Sequence, residues 1–517
     1  MLENVIKKIN SLSTVKLVAM ITVILSLFFI MALLRLIDGD EGFYILASHL
    51  AASGKKPYLD FFYPQTPLLP YVYGFWMKIF GYSWYSARAL SALSGVAIGF
   101  LLYFHVEGMT KKKAAGLMAV IIYALSSFSF GWYTTVKTYG ISIFFLFSSY
   151  ALLFARDGSL GVARSFLSGM LLGISVGTRL FFVAAVPAFL IGILFAEKEP
   201  KRRYAYLGLY LLGFAVAMIP IAAFFIISPD NFMFNNLGYH RIRLDTTIVE
   251  SIGQKVKIAF ELVGFNRVEG AASLQFFLLL VASIMFFRWK TMAKSPAMIT
   301  STGIMLVIGI TNFLPTPTYV QYFSALMPFF AVIITGMVNA FYEDSRSGPS
   351  QTGQVGTMLA VMGIIYAIAS FSEMYRFTYG GQYVQGIVTH ENAPNWSIPT
   401  VRKITSDMER LSEGDRAVIS WWPGYFISSS CMPMEGMENH FGLDVEKRLP
   451  REKLIKYHLV SSEIIDERIR KGDIRVVVLG NWAWDDRKLH YRDLLKKNGY
   501  ERAETVYDAE LFVLKKK

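Results

Sequence analysis

Cysteine is almost absent: the 517-residue chain has one, Cys431. A single cysteine excludes an intrachain disulfide, and the usual cysteine signatures of zinc and iron–sulfur sites are missing with it. Charge is scarce as well, at 17% of residues, where soluble domains carry about a quarter. Acids are the rarer sign, with 38 Asp+Glu against 51 Lys+Arg and a formal net charge of +13. His49 and His105 stand alone, without the spacing of metal ligands, and no internal repeat is evident.

Apolar residues are abundant: 54% of the chain is hydrophobic and 15% aromatic. Apolar runs of about 20 residues recur, long enough to cross a hydrocarbon core about 30 Å thick. A soluble fold of this size could not bury them all. The basic surplus sits between these runs and not on one face. That distribution matches cytoplasmic loops of a membrane protein and argues against nucleic-acid binding. The first run follows Lys7, Lys8 and Lys16 and lacks a small-residue cleavage site, so it is expected to be a retained span rather than a signal peptide.

The apolar pattern predicts spans near residues 18–37, 87–106, 114–132 and 139–154. Residues 166–196 are too long for one helix and are expected to form a hairpin of two short helices turning near Gly177–Arg179. Further spans are predicted near 204–227, 273–287, 296–313, 319–341 and 358–375. The total is about eleven crossings. Lys111–Lys113, Arg156 with Arg164, Lys198–Arg203 and Arg288–Lys294 (with Lys290) then fall on the N-terminal side, which loop charge makes cytoplasmic. Residues 343–356 read as a further cytoplasmic linker. Residues 38–83, 228–271 and everything after Arg376 lie outside. The first outer loop, 38–83, is expected to carry two interfacial helices, 43–52 and 68–80; Pro64, Pro67 and Pro70 argue against a span there. The expected division is a membrane domain, 1–375, and an extracytoplasmic α/β domain, 376–517. In that tail 417–420, 474–479 and 510–514 read as strands and 487–498 as a helix, with no glycine-rich nucleotide loop.

Asp38-Gly39-Asp40-Glu41 places three carboxylates where the first span emerges. Such crowding resists joint ionisation, and a carboxylate at the interface suits a general base for an acceptor hydroxyl. Helix capping by Asp40 is the structural alternative. Asp38 and Asp40 are also a candidate two-carboxylate metal pair, a weak signal because Mg²⁺ wants about six oxygens. Arg88, Lys137, Arg179, His240, Arg241 and Arg243 lie at outer ends or turns, where cations could bind a phosphate or simply meet lipid headgroups. Leu314–Tyr322 is a Pro-rich turn. Trp421-Trp422-Pro423-Gly424 could stack on a sugar, with core packing as the alternative.

The Asp40-Glu41 pair is followed by Phe43, Gly54-Lys55-Lys56-Pro57-Tyr58, Pro64-Gln65-Thr66-Pro67-Leu68, Phe80-Gly81 and Ala87-Arg88-Ala89-Leu90. This series resembles the GT-C glycosyltransferases, in particular relatives of protein O-mannosyltransferases and lipid A aminoarabinose transferases, best over the first 110 residues. The resemblance implies an α-helical polytopic fold and inverting transfer from a polyprenyl-phosphate sugar to a lipid, glycan or protein acceptor at the extracytoplasmic face of the cell membrane. It implies Asp40 as the catalytic acid of the pair, Glu41 as its neighbour, and Arg88 against the carrier phosphate; Lys137, Arg241 and Arg243 are further candidate cations by their place at the outer face. It implies no cofactor, several such enzymes needing no metal. Gln65 stands where some relatives have Lys or His, and carries no charge. A transporter or flippase for a sugar lipid is the alternative, disfavoured because the acids cluster at the outer surface and a soluble outer domain follows.

Overall fold

The computed structural model describes residues 2–155, 160–244, 247–264, 270–286, 295–345, 352–380 and 389–515. Arg156, Arg288, Lys290, Lys294 and most of the 343–356 linker lie outside or at the edge of these residues. By contact the chain divides into two units. The first comprises Met1–Leu34, Ser91–Pro220 and Thr246–Arg376, the second Arg35–Leu90, Ile221–Asp245 and Phe377–Lys517.

The first unit is a bundle of apolar helices. Helix Thr14–Leu34 ends before residue 37, where the first span was expected to end. The 162–196 stretch breaks into two helices near the expected turn. Helix Val162–Thr178 stops at Arg179, a 3-10 turn covers Leu180–Ala185, and a second helix runs Val186–Ala196. Small polar residues let its first helix pack closely on Thr138–Leu153. Ser149 Oγ donates to Ser168 O (2.8 Å), Ser168 Oγ to Ser149 O (2.8 Å) and Ser175 Oγ to Ser142 O (2.6 Å). A Cβ on Gly173 would lie 2.6 Å from the Ala217 Cβ, which marks a second close helix contact.

The expected span 114–132 is corrected. The helix Lys113–Ala124 ends, and only a short turn, Ser127–Phe130, follows. Ser126, Ser127 and Ser129 favour local hydrogen bonding over continued helix. Broken backbone inside a membrane protein must be satisfied by protein. Gln275 does this: its Oε1 accepts from Ser127 N (2.8 Å), and its Nε2 donates to Leu125 O (2.9 Å).

The second unit gathers three separated segments. Its first contributes helices Glu41–Ala52 and Leu68–Phe80, closely matching the pair expected in the first loop. The link between them is held from residues 221–245: Asn235 Oδ1 accepts from Tyr63 N (2.8 Å), and Asn231 Nδ2 donates to Tyr58 O (3.0 Å). Phe62, Phe234, Tyr239, Val445, Leu454 and Leu459 form one apolar cluster drawn from all three segments. Residues 377–517 are therefore packed on the first loop and grouped with it, although the sequence suggests a cut near residue 375.

The tail contains a five-stranded sheet: β1 (Ala417–Ser420), β2 (Met432–Pro433), β3 (Val476–Leu479), β4 (Tyr500–Val506) and β5 (Ala509–Leu514), in the order β2-β1-β3-β5-β4. The β1 pairings are parallel; β5 pairs antiparallel with β3 and β4. Helices Ile398–Ser412, Ser462–Lys471 and Asp485–Lys497 complete it. β1, β3, β5 and the last helix answer to the expected elements. Trp421 and Trp422 are buried core residues, so the stacking role considered for them falls away.

Candidate functional site

After Leu34 the backbone leaves the helix, and residues 35–40 run as an extended turn. Leu36 N donates to Phe377 O (3.1 Å), and Ile37 N to Trp396 O (2.7 Å). Asp38 Oδ1 accepts from Asp40 N (3.1 Å), closing an Asx turn. The tail clamps this turn from outside. Trp422 Nε1 donates to Gly39 O (2.8 Å), and a Cβ on Gly39 would sit 2.5 Å from the Trp482 ring. A Cβ on Gly42 would sit 2.6 Å from Gly424 N, so both positions require glycine for close approach.

Glu41 and Arg88 form the interior of this turn and are both fully buried. Arg88 donates from Nε to Glu41 Oε2 (2.8 Å) and from Nη2 to Glu41 Oε1 (2.6 Å), a bidentate pair. Its remaining donors reach Arg35 O (2.7 Å) and Leu36 O (3.2 Å). Glu41 Oε1 also accepts from Asp38 N (2.8 Å) and lies 3.8 Å from Arg35 Nη1. Burial alone would push the Glu41 carboxyl up. The guanidinium of Arg88, with Arg35 and the Asp38 amide, outweighs burial and holds it below the usual glutamate range. Arg88, expected to face a phosphate, directs its fork to Glu41 and to backbone carbonyls.

Asp40 occupies the N-cap position of Glu41–Ala52, but its side chain makes no capping bond to that helix. The capping alternative is thus not realised by its carboxylate. The Asp40 side chain keeps 25% of its surface accessible, in contrast to the sealed Glu41. His440, a buried residue of the tail that sequence reasoning missed, places Nε2 3.7 Å from Asp40 Oδ1. Only the polar run Glu435–Asn439 beside it, in an otherwise apolar stretch, hinted at this loop.

Residues 239–243 approach from the third segment. Tyr239 OH donates to Asp444 Oδ2 (3.4 Å), and Arg243 acts electrostatically on both. Burial raises the Asp444 carboxyl above its ordinary value, partly offset by His440 and Arg243. His240 Nε2 lies 3.0 Å from Pro64 O; burial, with help from Arg243, lowers this imidazole to about 4. It is neutral at pH 7 and supplies no charge to a phosphate. Arg241 is solvent-exposed. One oxygen of Asp38, the first of the candidate pair Asp38 and Asp40, accepts from the turn. Among the described residues no group of three His, Cys, Asp or Glu is placed to hold an ion.

The first unit holds a different arrangement. Lys137, at the start of Thr138–Leu153, and Arg179, at the end of Val162–Thr178, are both buried. Arg179 Nη1 donates to Thr138 Oγ1 (2.7 Å), and its guanidinium lies 4.8 Å from the Tyr139 ring and 5.1 Å from Tyr322. Lys137 Nζ lies 5.3 Å from the Trp132 ring and 5.9 Å from Tyr139. Two cations thus share one aromatic wall. Among the described residues no carboxylate is in ion-pair reach of Arg179.

Residues 64–227 match the family model described as dolichyl-phosphate-mannose-protein mannosyltransferase. No curated protein matches the chain in sequence. Among solved structures, ArnT from Cupriavidus metallidurans bound to undecaprenyl phosphate is similar, with a TM-score of 0.67 and 11% identity; the match covers 97% of this chain and 98% of that one. The apo state of the same protein gives 0.64, with 12% identity over 96% and 97%. The Archaeoglobus fulgidus oligosaccharyltransferase tethered to an acceptor peptide gives 0.50, with 14% identity over 89% of this chain and 68% of that one. The likeness to the two ArnT structures shows a shared fold.

Proposed function

We propose that this multi-pass membrane protein, a GT-C glycosyltransferase by fold, is an inverting enzyme that transfers a sugar from a polyprenyl-phosphate donor to an acceptor hydroxyl at the extracytoplasmic face of the cell membrane. The observation that carries the proposal is the division of labour within Asp38–Glu41. Glu41 is sealed against Arg88, while Asp40 keeps an accessible carboxylate on a turn held rigid from both sides.

In the reaction Asp40 takes the proton of the acceptor hydroxyl. The acceptor oxygen forms a bond to the anomeric carbon from the face opposite the phosphate, and the bond from that carbon to the phosphate oxygen breaks. The polyprenyl phosphate leaves with the electron pair. Its charge calls for cations, for which the first unit offers Lys137 and Arg179, each buried against ring faces. Glu41 and Arg88 act as positioning residues, and Arg88 passes from the expected phosphate contact to holding the turn. Arg243 serves the Tyr239–Asp444 pair, and exposed Arg241 is left to meet headgroups. No step uses a metal.

Among the described residues, five helices are long and apolar enough to cross a membrane, and six shorter apolar helices accompany them. Five plus six supports eleven membrane segments, with the 376–517 domain outside. The family model's dolichyl-phosphate-mannose and the undecaprenyl phosphate of the ArnT structure support a polyprenyl carrier. The test is a proteoliposome assay that follows sugar transfer and lipid translocation separately. Transfer with inversion at the anomeric carbon supports the proposal. Translocation of the intact sugar lipid without transfer would establish the transporter reading.

A further inference from the structure

Buried within the tail, His440 poses a packing problem. Its ring lies 3.9 Å from that of Trp482, 4.1 Å from Phe441 and 5.6 Å from Phe43. An aromatic cage of this kind is filled best by an apolar ring. Yet the residue is an imidazole, 3% exposed, and neither ring nitrogen has a hydrogen-bond partner among the described residues. Burying such a group forfeits its hydration without return unless charge is nearby. Trp482 lies on it from a backbone with φ of 68°, a left-handed conformation that a bulky residue adopts only at a cost. The same indole covers Gly39.

Charge is nearby on two sides. Asp40 Oδ1, from the first loop, lies 3.7 Å from Nε2, too far for a direct hydrogen bond but well within electrostatic reach. Asp444, from the same 3-10 turn as His440 (His440–Arg448), is eased toward ionisation by the imidazole. Behind Asp444 stand Tyr239 and Arg243, and Arg487 acts on it from Asp485–Lys497. The file of Asp40, His440, Asp444 and Arg243 joins all three segments of the second unit.

We infer that His440 is a positioning residue for the base: the tail places its imidazole beside Asp40 to hold that carboxylate ionised and in register for the acceptor proton. The inference rests on Asp40 being the base. Above all it concerns the acid side of the pH range, where the carboxylate must stay ionised to act as a base. It also gives the tail a part in the chemistry in addition to its clamp on the turn.

The test compares His440→Phe, which keeps the aromatic packing, and His440→Gln, which keeps a polar group, with wild type and Asp40→Asn. All are assayed as purified full-length protein with a polyprenyl-phosphate sugar donor, and melting curves show which are folded. The expected result is loss of Asp40→Asn activity. Both His440 variants should show an acid limb moved up by about one pH unit, with up to about tenfold loss of kcat/KM at the acid end of that limb and KM for the donor unchanged. An unchanged acid limb in a folded His440 variant, with Asp40→Asn inactive, overturns this inference and leaves the base assignment standing. Activity in Asp40→Asn overturns the base assignment itself. If His440→Gln fails to fold, His440→Phe alone decides.

Discussion

The turn at residues 38–41 and the helix ends at Lys137 and Arg179 handle buried charge in opposite ways. At the turn, Glu41 meets Arg88 in a two-point pair, and Arg35 stands behind it. In the other unit, Lys137 and Arg179 lie against Trp132, Tyr139 and Tyr322. A buried charge neutralised by its own chain is scaffolding, because removing either partner leaves the other stranded. Arg179, with no carboxylate in ion-pair reach among the described residues, is held against ring faces, and such a charge keeps its attraction for an anion supplied from outside. The tail offers an intermediate case in Glu438, a buried acid whose carboxylate accepts from Gly436 N (2.8 Å) but has no arginine partner. Its carboxyl is pushed up by burial to about 7, whereas the Glu41 carboxyl is held down.

The largest effect expected from breaking this contrast is at the scaffold. Arg88→Met or Glu41→Met should cost about 3–5 kcal/mol of stability, since each leaves an uncompensated buried charge. The double substitution should recover part of that loss. Melting temperatures of the purified variants would read both, and equal melting of single and double variants would contradict the pairing. A smaller and different effect is expected at the cations. Lys137→Met and Arg179→Met should each raise KM for the lipid donor about tenfold or more while leaving the melting temperature within a few degrees. Collapse of the fold without a change in KM would make those cations scaffold too. The smallest effect is at Glu438. Burial holds its folded carboxyl at about 7, above the ordinary glutamate value of about 4.5. The folded state therefore binds the extra proton, and stability falls as pH rises from about 4.5 to about 7. Glu438→Gln should melt above wild type at pH 8, with the gap closing toward pH 5. A gap independent of pH would show that ionisation is not the cause.

Much of this contrast was hidden from the sequence, for reasons that differ by residue. The helices 41–52 and 68–80 were legible because glycines or prolines mark their ends and apolar residues fill them. So was the break within 162–196, a stretch whose length and bracketing charges suit nothing else. The break at Leu125 was not, because the residue that satisfies it, Gln275, lies 150 positions away. β4 reads as loop because Glu501, Arg502 and Glu504 interrupt it; it is an exposed edge strand paired only with β5. At the site, Asp40 was legible from its motif and its place beside a span. Arg88 was visible as a cation, but nothing local shows that its partner is Glu41, 47 residues earlier. His440 sits in no motif at all, and its relation to Asp40 exists only once the tail folds onto the first loop.

The central claim is that Asp40 removes the acceptor proton. It is tested most directly by the single-turnover rate of Asp40→Asn on a polyprenyl-phosphate sugar donor, at a pH where both proteins are folded and bind donor equally. The account predicts a loss of about 10²–10⁴-fold with unchanged donor affinity. Transfer at the wild-type rate would contradict it.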